Sequence, residues 1–283
     1  MEVLTTIAAI RNFVMAARRQ GKSIGLVPTM GYLHEGHLAL ARKAREQNDV
    51  VIMSIFVNPT QFGPGEDLEC YPRDLERDQK LAAGAGVDAI FAPGAEEMYP
   101  PGYATYVQVE GLTEVLCGAS RPGHFRGVAT VVSKLFNIVQ PDRAYFGLKD
   151  YQQAVVIKRL ARDLNFPVDI ITIPTVREAD GLALSSRNKY LSPDERRWAL
   201  ALYRALNTGA ALIRSGERRA AVVRDAMAQE ILSRPRTRID YVAVNDAETL
   251  EPLDEIRGRV LLALAAWVGE TRLIDNMIVE VKD

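Results

Sequence analysis

The first 176 residues alternate short apolar runs with longer segments of helical periodicity, and this alternation most constrains the fold. The apolar runs lie at 23–29, 49–58, 87–93, 143–147 and 167–175. The second of them is apolar almost throughout, which is typical of a strand buried on both faces. The pattern predicts an α/β fold, with a parallel sheet, helices on both of its faces and right-handed crossovers. Ligands of such sheets bind beyond the carboxyl ends of the strands, so the loops after these runs form the candidate site.

Helical periodicity lies between the apolar runs. It predicts helices near 4–20, 37–47, 74–84, 125–141 and 150–165. Gly21 follows the first of them as a C-terminal cap. A further strand is predicted at 104–109.

The pattern changes after residue 176. Ser192, Pro193 and Glu195 form a capping box at the start of a long helix, and a second helix is expected over 217–232. The segments RIDYVAVND, GRVLLALAAWVG and TRLIDNMIVEV then follow as three strands, with no helix between the last two. We therefore predict a first domain over 1–176 and a smaller α+β domain over 177–283.

The overall composition excludes several classes of protein. Apolar residues make up 48% and charged residues 25%, and the formal net charge is −1. These percentages are ordinary for a globular protein. The net charge argues against a nucleic-acid partner bound by bulk positive charge. No apolar run reaches the roughly 18 residues of a membrane span. Cys70 and Cys117 form no CxxC pair, which favours a reduced, cytoplasmic setting.

Two of the three histidines in the chain, His34 and His37, lie in the segment PTMGYLHEGHLAL at 28–40. Gly31 and Gly36 allow tight turns and a close approach of a ligand to the backbone. A helix expected to begin near His37 offers N–H groups and a positive dipole end to a phosphate. Two imidazoles there can donate hydrogen bonds as phosphate charge grows in a transition state. A solvated turn and half of a zinc site are the alternatives, although HEGH lacks the HExxH spacing of metal-binding helices.

A turn-rich stretch of 16 residues, NPTQFGPGEDLECYPR, follows the second strand at 58–73. Asn58 and Gln61 carry amides suited to fixing a polar substrate. Prolines and glycines are also typical of a plain surface loop. Because the stretch exceeds the usual length of a connection, a functional loop is favoured.

Three more polar clusters are candidates. Lys149 and Asp150 follow the strand that ends at Gly147; Lys149 can hold a phosphate as a point charge, and Asp150 can cap a helix or contact a metal or a ribose. Of the neighbouring Gln152 and Gln153, only one can face a site, because they point to different sides of a helix.

The segment READGLALSSRNKYL at 177–191 contains hydroxyls and a guanidinium suited to bidentate phosphate contact, in Ser185, Ser186 and Arg187. A plain linker is the alternative there. His124 and Arg126, in RPGHFRGVATVV, either line a pocket or cap a helix.

Together these segments resemble the pantoate–beta-alanine ligase family, whose members are also called pantothenate synthetases, from end to end of the chain. The resemblance rests on PTMGYLHEGH, FVNPTQF, YPR, RPGHFRGVATVVSKLFNIVQPDRAYFGLKDYQQ and ADGLALSSRN. It implies membership of the HxGH nucleotidyltransferase group, a Rossmann-like N-terminal domain, a C-terminal lid domain, a homodimer and a cytoplasmic enzyme. The implied reaction condenses (R)-pantoate with β-alanine at the expense of ATP, through a pantoyl adenylate, to give pantothenate, AMP and pyrophosphate.

The resemblance also implies roles for individual residues. His34, His37, Lys149 and Arg187 are the expected catalytic residues, with His37 as proton donor. Gln61 is expected to contact pantoate and β-alanine, and Gln153 to contact pantoate. The expected ATP-binding residues are Met30, Gly31, Tyr32, Leu33, His34, Glu35, Gly36, His37, Gly147, Leu148, Lys149, Asp150, Val176, Leu184, Ser185, Ser186 and Arg187.

Mg²⁺ is expected mainly on the phosphate oxygens of the nucleotide. Some relatives carry an acidic residue at the position of Arg77, next to Asp78; it is basic here, so no protein ligand of the metal is assigned.

Two other activities share these motifs. A nucleotidyltransferase that stops at a dinucleotide product would use the same HxGH segment. Its phosphorylated acceptor would require basic groups, whereas Gln61 and Gln153 are neutral amides. A nucleotide sensor without turnover would not need to keep His34, His37, Lys149 and Arg187 as transition-state donors. A tRNA synthetase is disfavoured, since the chain has neither an anticodon-binding extension nor a basic bias.

Overall fold

A computed structural model describes residues 1–281, which form two compact units. The first unit comprises Met1–Glu110, Arg121–Leu148 and Gln153–Pro174. The second comprises Gly111–Ser120, Lys149–Gln152 and the residues from Thr175 onward. Each unit is described by itself below.

A six-stranded, fully parallel sheet organises the first unit, as the alternating pattern predicted. Its strands are β1 (Glu2–Leu4), β2 (Ile24–Thr29), β3 (Val50–Ile55), β4 (Ala89–Phe91), β5 (Arg143–Gly147) and β6 (Asp169–Ile173). They lie in the order β1-β4-β3-β2-β5-β6. The strand β1 was not predicted, because its three residues are largely exposed and lack a buried apolar run.

The helices between Met1 and Val281 follow the predicted segments closely, with two short additions. They are α1 (Ile7–Arg19), α2 (Glu35–Gln47), α3 (Leu75–Gly84), α4 (Ala95–Met98), α5 (Cys117–Ser120), α6 (His124–Val139), α7 (Tyr151–Asp163), α8 (Pro193–Arg214) and α9 (Ala220–Leu232). The four-residue helices α4 and α5 are too short to leave a periodic signal in the sequence. Gly21 follows α1 with a φ of +70°, and its N–H donates to the carbonyl of Arg18, so the predicted cap is confirmed.

Side chains on both faces of the parallel sheet are buried. Val27 and Met53 pack in one cluster with Leu40 of α2. The alternate residues of the same strands, Leu26 and Ile52, are equally buried. Because successive side chains of a strand point to opposite faces, the sheet is covered on both.

The strand predicted at 104–109 is wrong. This segment has no regular secondary structure. The N–H of Val107 donates instead to the hydroxyl of Thr130 on α6, at 2.9 Å. The backbone of Val107 is therefore bonded to a helix side chain and not to a neighbouring strand.

The second unit contains an antiparallel sheet of three strands in the order β7-β8-β9. These are β7 (Thr237–Asp246), β8 (Arg259–Val268) and β9 (Thr271–Glu280). Helices α8 and α9 pack on it around a core that includes Leu206, Met227 and Leu262. The predicted capping box is present: the Glu195 N–H donates to Ser192 Oγ, and the Ser192 N–H donates to Glu195 Oε2.

Two short segments that precede residue 176 belong to the second unit, and Gln152 explains how they are joined. Its amide NH₂ donates to the carbonyls of Leu112 (2.9 Å) and Val115 (2.8 Å), and its Oε1 accepts from the N–H of Cys117 (3.0 Å). The domain division at residue 176 stays a prediction. The compact units differ from this predicted division at 111–120 and 149–152. The Gln152 hydrogen bonds join these two segments, and sequence patterns cannot show contacts between residues so far apart.

Candidate active site

The loop between β2 and α2 carries the predicted phosphate-binding segment. Gly31 and Tyr32 adopt successive left-handed conformations, with φ of +85° and +48°. The Thr29 hydroxyl accepts from the N–H of Gly31 (3.2 Å) and donates to the carbonyl of Ser54 on β3 (2.7 Å). The loop thus turns sharply at the carboxyl end of the sheet and delivers the chain to α2, which begins at Glu35, two residues earlier than predicted.

His34 and His37 cap the start of α2 reciprocally. Nδ1 of His34 accepts from the N–H of Gly36 (3.1 Å), and Nδ1 of His37 accepts from the N–H of His34 (3.3 Å). The ring centroids are 4.0 Å apart. Because both Nδ1 atoms accept from backbone donors, the neutral rings carry their protons on Nε2. The capping geometry therefore sets two Nε2–H donors side by side at a helix N-terminus.

The glycine within HEGH has a steric role. A Cβ on Gly36 would lie 2.9 Å from Cε1 and Nδ1 of the His34 ring. Any larger residue would push His34 out of its capping position. The pair of histidines and the intervening glycine thus form one unit of local structure.

Asp78, on α3, holds the same loop from beneath. Its carboxylate is 1% exposed and accepts from the N–H groups of Tyr32 and Leu33, both at 2.7 Å. Burial raises the pKa of this carboxyl, and the two backbone donors partly oppose that shift. Arg77 donates to the carbonyl of Leu33 (2.9 Å), and its guanidinium lies 5.0 Å from the Tyr32 ring centroid. The acid in the first turn of α3 resembles an ordinary helix-dipole partner in the sequence, so its role was not predicted.

The residues of the predicted ATP segment differ in what they can offer a ligand. Leu33 is fully buried in the core, so only its backbone is available. Glu35 forms an ion pair with Arg42. Met30, in contrast, lies beside Gln61, whose Nε2 donates to its Sδ at 3.2 Å.

Asn58 fixes the orientation of the Gln61 amide. The amide NH₂ of Asn58 donates to Gln61 Oε1 (3.0 Å) and to the carbonyl of Gly127 (3.1 Å). Its Oδ1 accepts from the Tyr99 hydroxyl (2.8 Å), whose pKa burial raises to about 12, so the hydroxyl stays protonated and donates. Gln61 is only 9% exposed and turns its NH₂ group toward Met30.

The backbone of Gln61 is held by Arg121 and by His124, the first residue of α6. Nδ1 of His124 lies 2.8 Å from the Gln61 carbonyl, and Arg121 donates to that carbonyl at 3.3 Å. Arg121 is itself paired with Glu66 through Nε at 2.7 Å. His124 is the first residue of α6, but its ring supports the Gln61 loop. Arg126 stacks instead on Tyr106, at 3.8 Å from the ring centroid.

Gly147 ends β5, and Leu148–Asp150 form a single 3₁₀ turn before α7. Lys149 belongs to the second unit, where its carbonyl accepts from the side-chain amide of Asn276 on β9, at 2.8 Å. Its Nζ lies 3.8 Å from Asp150 Oδ1. Gln153 belongs to the first unit, whereas Gln152 is committed to backbone contacts in the second. The two glutamines therefore diverge, as their positions on a helix predicted.

In the second unit, residues 176–184 form a hairpin, and a 3₁₀ turn follows at Ser186–Tyr190. The N–H of Leu184 donates to the carbonyl of Val176 at 3.0 Å. Ser185 caps the turn Ser186–Tyr190, and its hydroxyl accepts from the N–H of Arg187 at 3.3 Å. The hairpin thus presents Leu184–Arg187 in a defined conformation.

In the first unit Met30 contacts Gln61, and His34 contacts His37 in the same loop between β2 and α2. In the second unit the Lys149 carbonyl and the Arg177 side chain are both held by β9. Across residues 1–281 no group of three or more His, Cys, Asp or Glu side chains could hold a metal ion. In the same span, no helix is long and apolar enough to cross a membrane.

The six-stranded parallel sheet, with the HxGH segment capping α2 beyond the end of β2, defines a protein of the α/β class. A family model described as pantoate-beta-alanine ligase matches residues 2–278. The chain therefore belongs to the pantoate-beta-alanine ligase family, and it is an enzyme of the ligase class.

Individual relatives agree with this assignment over their whole lengths. Pantothenate synthetase of Moorella thermoacetica is 78% identical over 283 residues, which cover 100% of both chains. The crystal structure of pantothenate synthetase from Thermus thermophilus matches with a TM-score of 0.93 and 54% identity, covering 98% of this chain and 99% of the other. Pantoate-beta-alanine ligase from Francisella tularensis, solved in complex with beta-gamma ATP and beta-alanine, matches with a TM-score of 0.82 and 35% identity, covering 98% and 97%.

Proposed function

We propose that the residues described above carry out the ligation of their family in two steps. The overall reaction condenses (R)-pantoate with β-alanine and converts ATP to AMP and pyrophosphate. In the first step a carboxylate oxygen of pantoate attacks the α-phosphorus of ATP, and the bond from that phosphorus to the bridging oxygen breaks. In the second, the amine of β-alanine attacks the acyl carbon, AMP leaves and the nitrogen loses a proton. Neither step needs a covalent bond to the protein, so positioning and electrostatics carry the rate.

One contact carries this proposal: Gln61 Nε2 donates to Met30 Sδ at 3.2 Å. It joins the residue expected to bind pantoate to the segment expected to bind ATP, although they lie 31 positions apart. The acid and the nucleotide must meet for the first step, and this contact supports a shared location of their binding residues in the first unit.

We assign the paired imidazoles to the phosphates of ATP. The Nε2–H groups of His34 and His37 donate hydrogen bonds to oxygens whose charge rises as pyrophosphate departs. We assign the proton-donor role that the family resemblance implies for His37 to this hydrogen bond, because a neutral ring whose Nδ1 accepts from a backbone N–H has no second proton to transfer. The N-terminus of α2 adds its own partial positive charge. Removal of one such donor typically slows a reaction by about 10²–10³.

Gln61 and Gln153 are assigned to pantoate, and Gln61 also to β-alanine. Asn58 occupies Oε1 of Gln61, so the glutamine offers N–H donors to the hydroxyl and carboxylate oxygens of pantoate. A neutral amide suits this task, because a cation there would hold the carboxylate too tightly to act as nucleophile.

By resemblance to the family, Lys149 and Arg187 are also assigned to the phosphates. Lys149 acts as a point charge and Arg187 as a bidentate donor. Val176 meets the adenine through its backbone, and Leu184–Arg187 contact the nucleotide. Gly147–Asp150 contribute to the same ligand.

Mg²⁺ is proposed to travel with ATP. The described residues offer no three-ligand cluster, and Mg²⁺ favours phosphate oxygens and water over an all-protein cage. When bound, it would neutralise charge on the triphosphate. A homodimeric, cytoplasmic enzyme is proposed from the family resemblance.

The test is to measure pyrophosphate release with purified enzyme and all combinations of ATP, pantoate and β-alanine. We expect pyrophosphate only when ATP and pantoate are both present, and pantothenate with AMP only after β-alanine is added. Pyrophosphate release without pantoate contradicts the proposal. A stable dinucleotide product would favour the nucleotidyltransferase instead.

A further inference from the structure

Two adjacent polar residues on β9, Asp275 and Asn276, are buried in the second unit. They are 4% and 9% exposed, respectively. Successive residues of a strand point to opposite faces of its sheet. Asp275 shares its face with Leu273 and Met277, which belong to the core under α8 and α9, so Asn276 lies on the other face. Buried polar side chains at such positions need specific partners.

Asp275 holds the start of the hairpin that leads to Arg187. Arg177 donates to both of its carboxylate oxygens, through Nη1 at 2.6 Å and Nη2 at 2.9 Å. Bidentate pairs of this kind are strong and fix the geometry of both partners. The same guanidinium donates to the carbonyl of Gly181 at 3.1 Å, so the tip of the hairpin is held as well.

The tyrosine Tyr203 of α8 completes this anchor. The Arg177 guanidinium lies 4.5 Å from its ring centroid. A Cβ on Gly181 would lie only 2.1 Å from Cδ1 of the same ring, so the hairpin backbone packs directly on the tyrosine. The hairpin is therefore fixed to β9 and α8 by charge and by shape.

Asn276 holds the backbone of Lys149 on the opposite face. Its side-chain amide donates to the Lys149 carbonyl at 2.8 Å. Its own N–H donates to Asp275 Oδ1 (2.8 Å), and its carbonyl accepts from Arg177 Nη2 (3.3 Å). The two β9 residues and Arg177 are thus one connected hydrogen-bond network.

We propose that Asp275 and Asn276 are positioning residues for the nucleotide. They place the backbone of Lys149 and the hairpin that carries Arg187 on one strand, so that both cations are set by a single rigid element. This inference rests on the proposed function, because it takes Lys149 and Arg187 as phosphate ligands. Neither β9 residue needs to contact a substrate for this role.

The test compares Asn276→Ala with the matched control Asn245→Ala. Asn245 is a buried asparagine of β7 in the same unit, and its amide likewise donates to a loop carbonyl, that of Leu250 at 2.6 Å. Both changes remove one such bond. We expect Asn276→Ala to raise the KM for ATP about fivefold to tenfold with the KM for pantoate unchanged, and Asn245→Ala to move neither.

Hydrogen exchange gives a second readout that does not depend on activity. Asn276→Ala should speed exchange in residues 149–153, while α2 exchanges at the wild-type rate. Asp275→Asn should raise the KM for ATP in the same way by loosening Arg177. If Asn276→Ala does not fold, Asn276→Thr tests the same bond with a shorter side chain suited to a strand.

Three outcomes separate the possibilities. An unchanged KM for ATP and unchanged exchange at 149–153 in folded Asn276 variants would overturn the positioning role. Equal effects in Asn245→Ala would reduce it to general stability. Failure of the wild-type enzyme to release pyrophosphate with ATP and pantoate, or a wild-type KM for ATP in Lys149→Ala, would instead reject the proposed function or its assignment of Lys149.

Discussion

Gly127 of α6 gives the sharpest test of how the Gln61 loop is built. A Cβ at this position would lie 2.3 Å from the carbonyl oxygen of Thr60 and 2.6 Å from the backbone nitrogen of Gln61. These are backbone atoms, which cannot rotate away as a flexible side chain could. Gly127→Ala therefore forces the loop and the helix apart, although the residue itself lies in a regular helix.

The size of the effect follows from the contact distance. To restore ordinary van der Waals separation, the loop must retreat by about 1 Å. That shift lengthens the bond from the Asn58 amide to the Gly127 carbonyl, now 3.1 Å, and displaces Gln61 with it. A misplacement of about 1 Å in a substrate-positioning group can cost about 10²-fold in rate.

The loss of stability should not exceed the loss of activity, which at 10²-fold corresponds to about 2.7 kcal/mol. Overpacking costs about 1–3 kcal/mol. Alanine in a helix interior recovers about 0.5–1 kcal/mol relative to glycine. We therefore expect Gly127→Ala to fold, with a loss of up to about 2.5 kcal/mol in unfolding free energy.

The assay is pantoate-dependent pyrophosphate release, with denaturant unfolding measured in parallel. The control is Gly84→Ala at the end of α3, where a Cβ would meet nothing within 4 Å. We expect kcat/KM for pantoate to fall about 10²-fold in Gly127→Ala and to stay at the wild-type value in Gly84→Ala. A wild-type kcat/KM in Gly127→Ala would show that the loop tolerates displacement and would refute the reasoning.

Three further substitutions test the first unit. His37→Ala should slow adenylation by about 10²–10³, measured as single-turnover pyrophosphate release, and an unchanged rate removes this residue from the mechanism. Gln61→Ala should raise the KM for pantoate or β-alanine while ATP binding, followed by calorimetry, persists; loss of ATP affinity would contradict its placement. Asp78→Asn tests the raised pKa of the Asp78 carboxyl. Protonation of this carboxyl stabilises the fold below its unfolded-state pKa near 3.8, and that stabilisation is lost as the pH rises through the higher pKa of the folded state. Urea unfolding between about pH 3 and 7 should therefore show the stability gap between wild type and variant narrowing as pH rises, and a constant gap would contradict the shift.

The local patterns of the sequence predicted the elements well. The near-continuous apolar run around β3 and the box at Ser192 and Glu195 depend on neighbours a few positions apart, so they can be read without a fold. The strand predicted at 104–109 shows the limit of such patterns. A segment of this kind becomes a strand only if a sheet edge is available to it, and here the backbone of Val107 bonds to α6 instead.

The candidate site divides in the same way. The pairing of His34 with His37 is local, because the capping box needs only a helix start. The role of Asp78 could not be predicted from the sequence, because the two N–H groups that its carboxylate binds lie 45 and 46 positions away. Asn276, which is 127 positions from its partner Lys149, was equally invisible.

By itself the sequence determined the class of the sheet, the order of most helices and strands along the chain, the position of the HxGH segment at a strand–helix junction, and the family. The tertiary structure alone decided which residues hold the functional groups in place. Asn58 and Gly127 hold Gln61, and Asn276 of β9 holds the backbone of Lys149. The physical reason is range. Periodicity and capping act within a turn or two of the chain, whereas a buried polar group finds its partner only after folding has brought distant segments within hydrogen-bond distance.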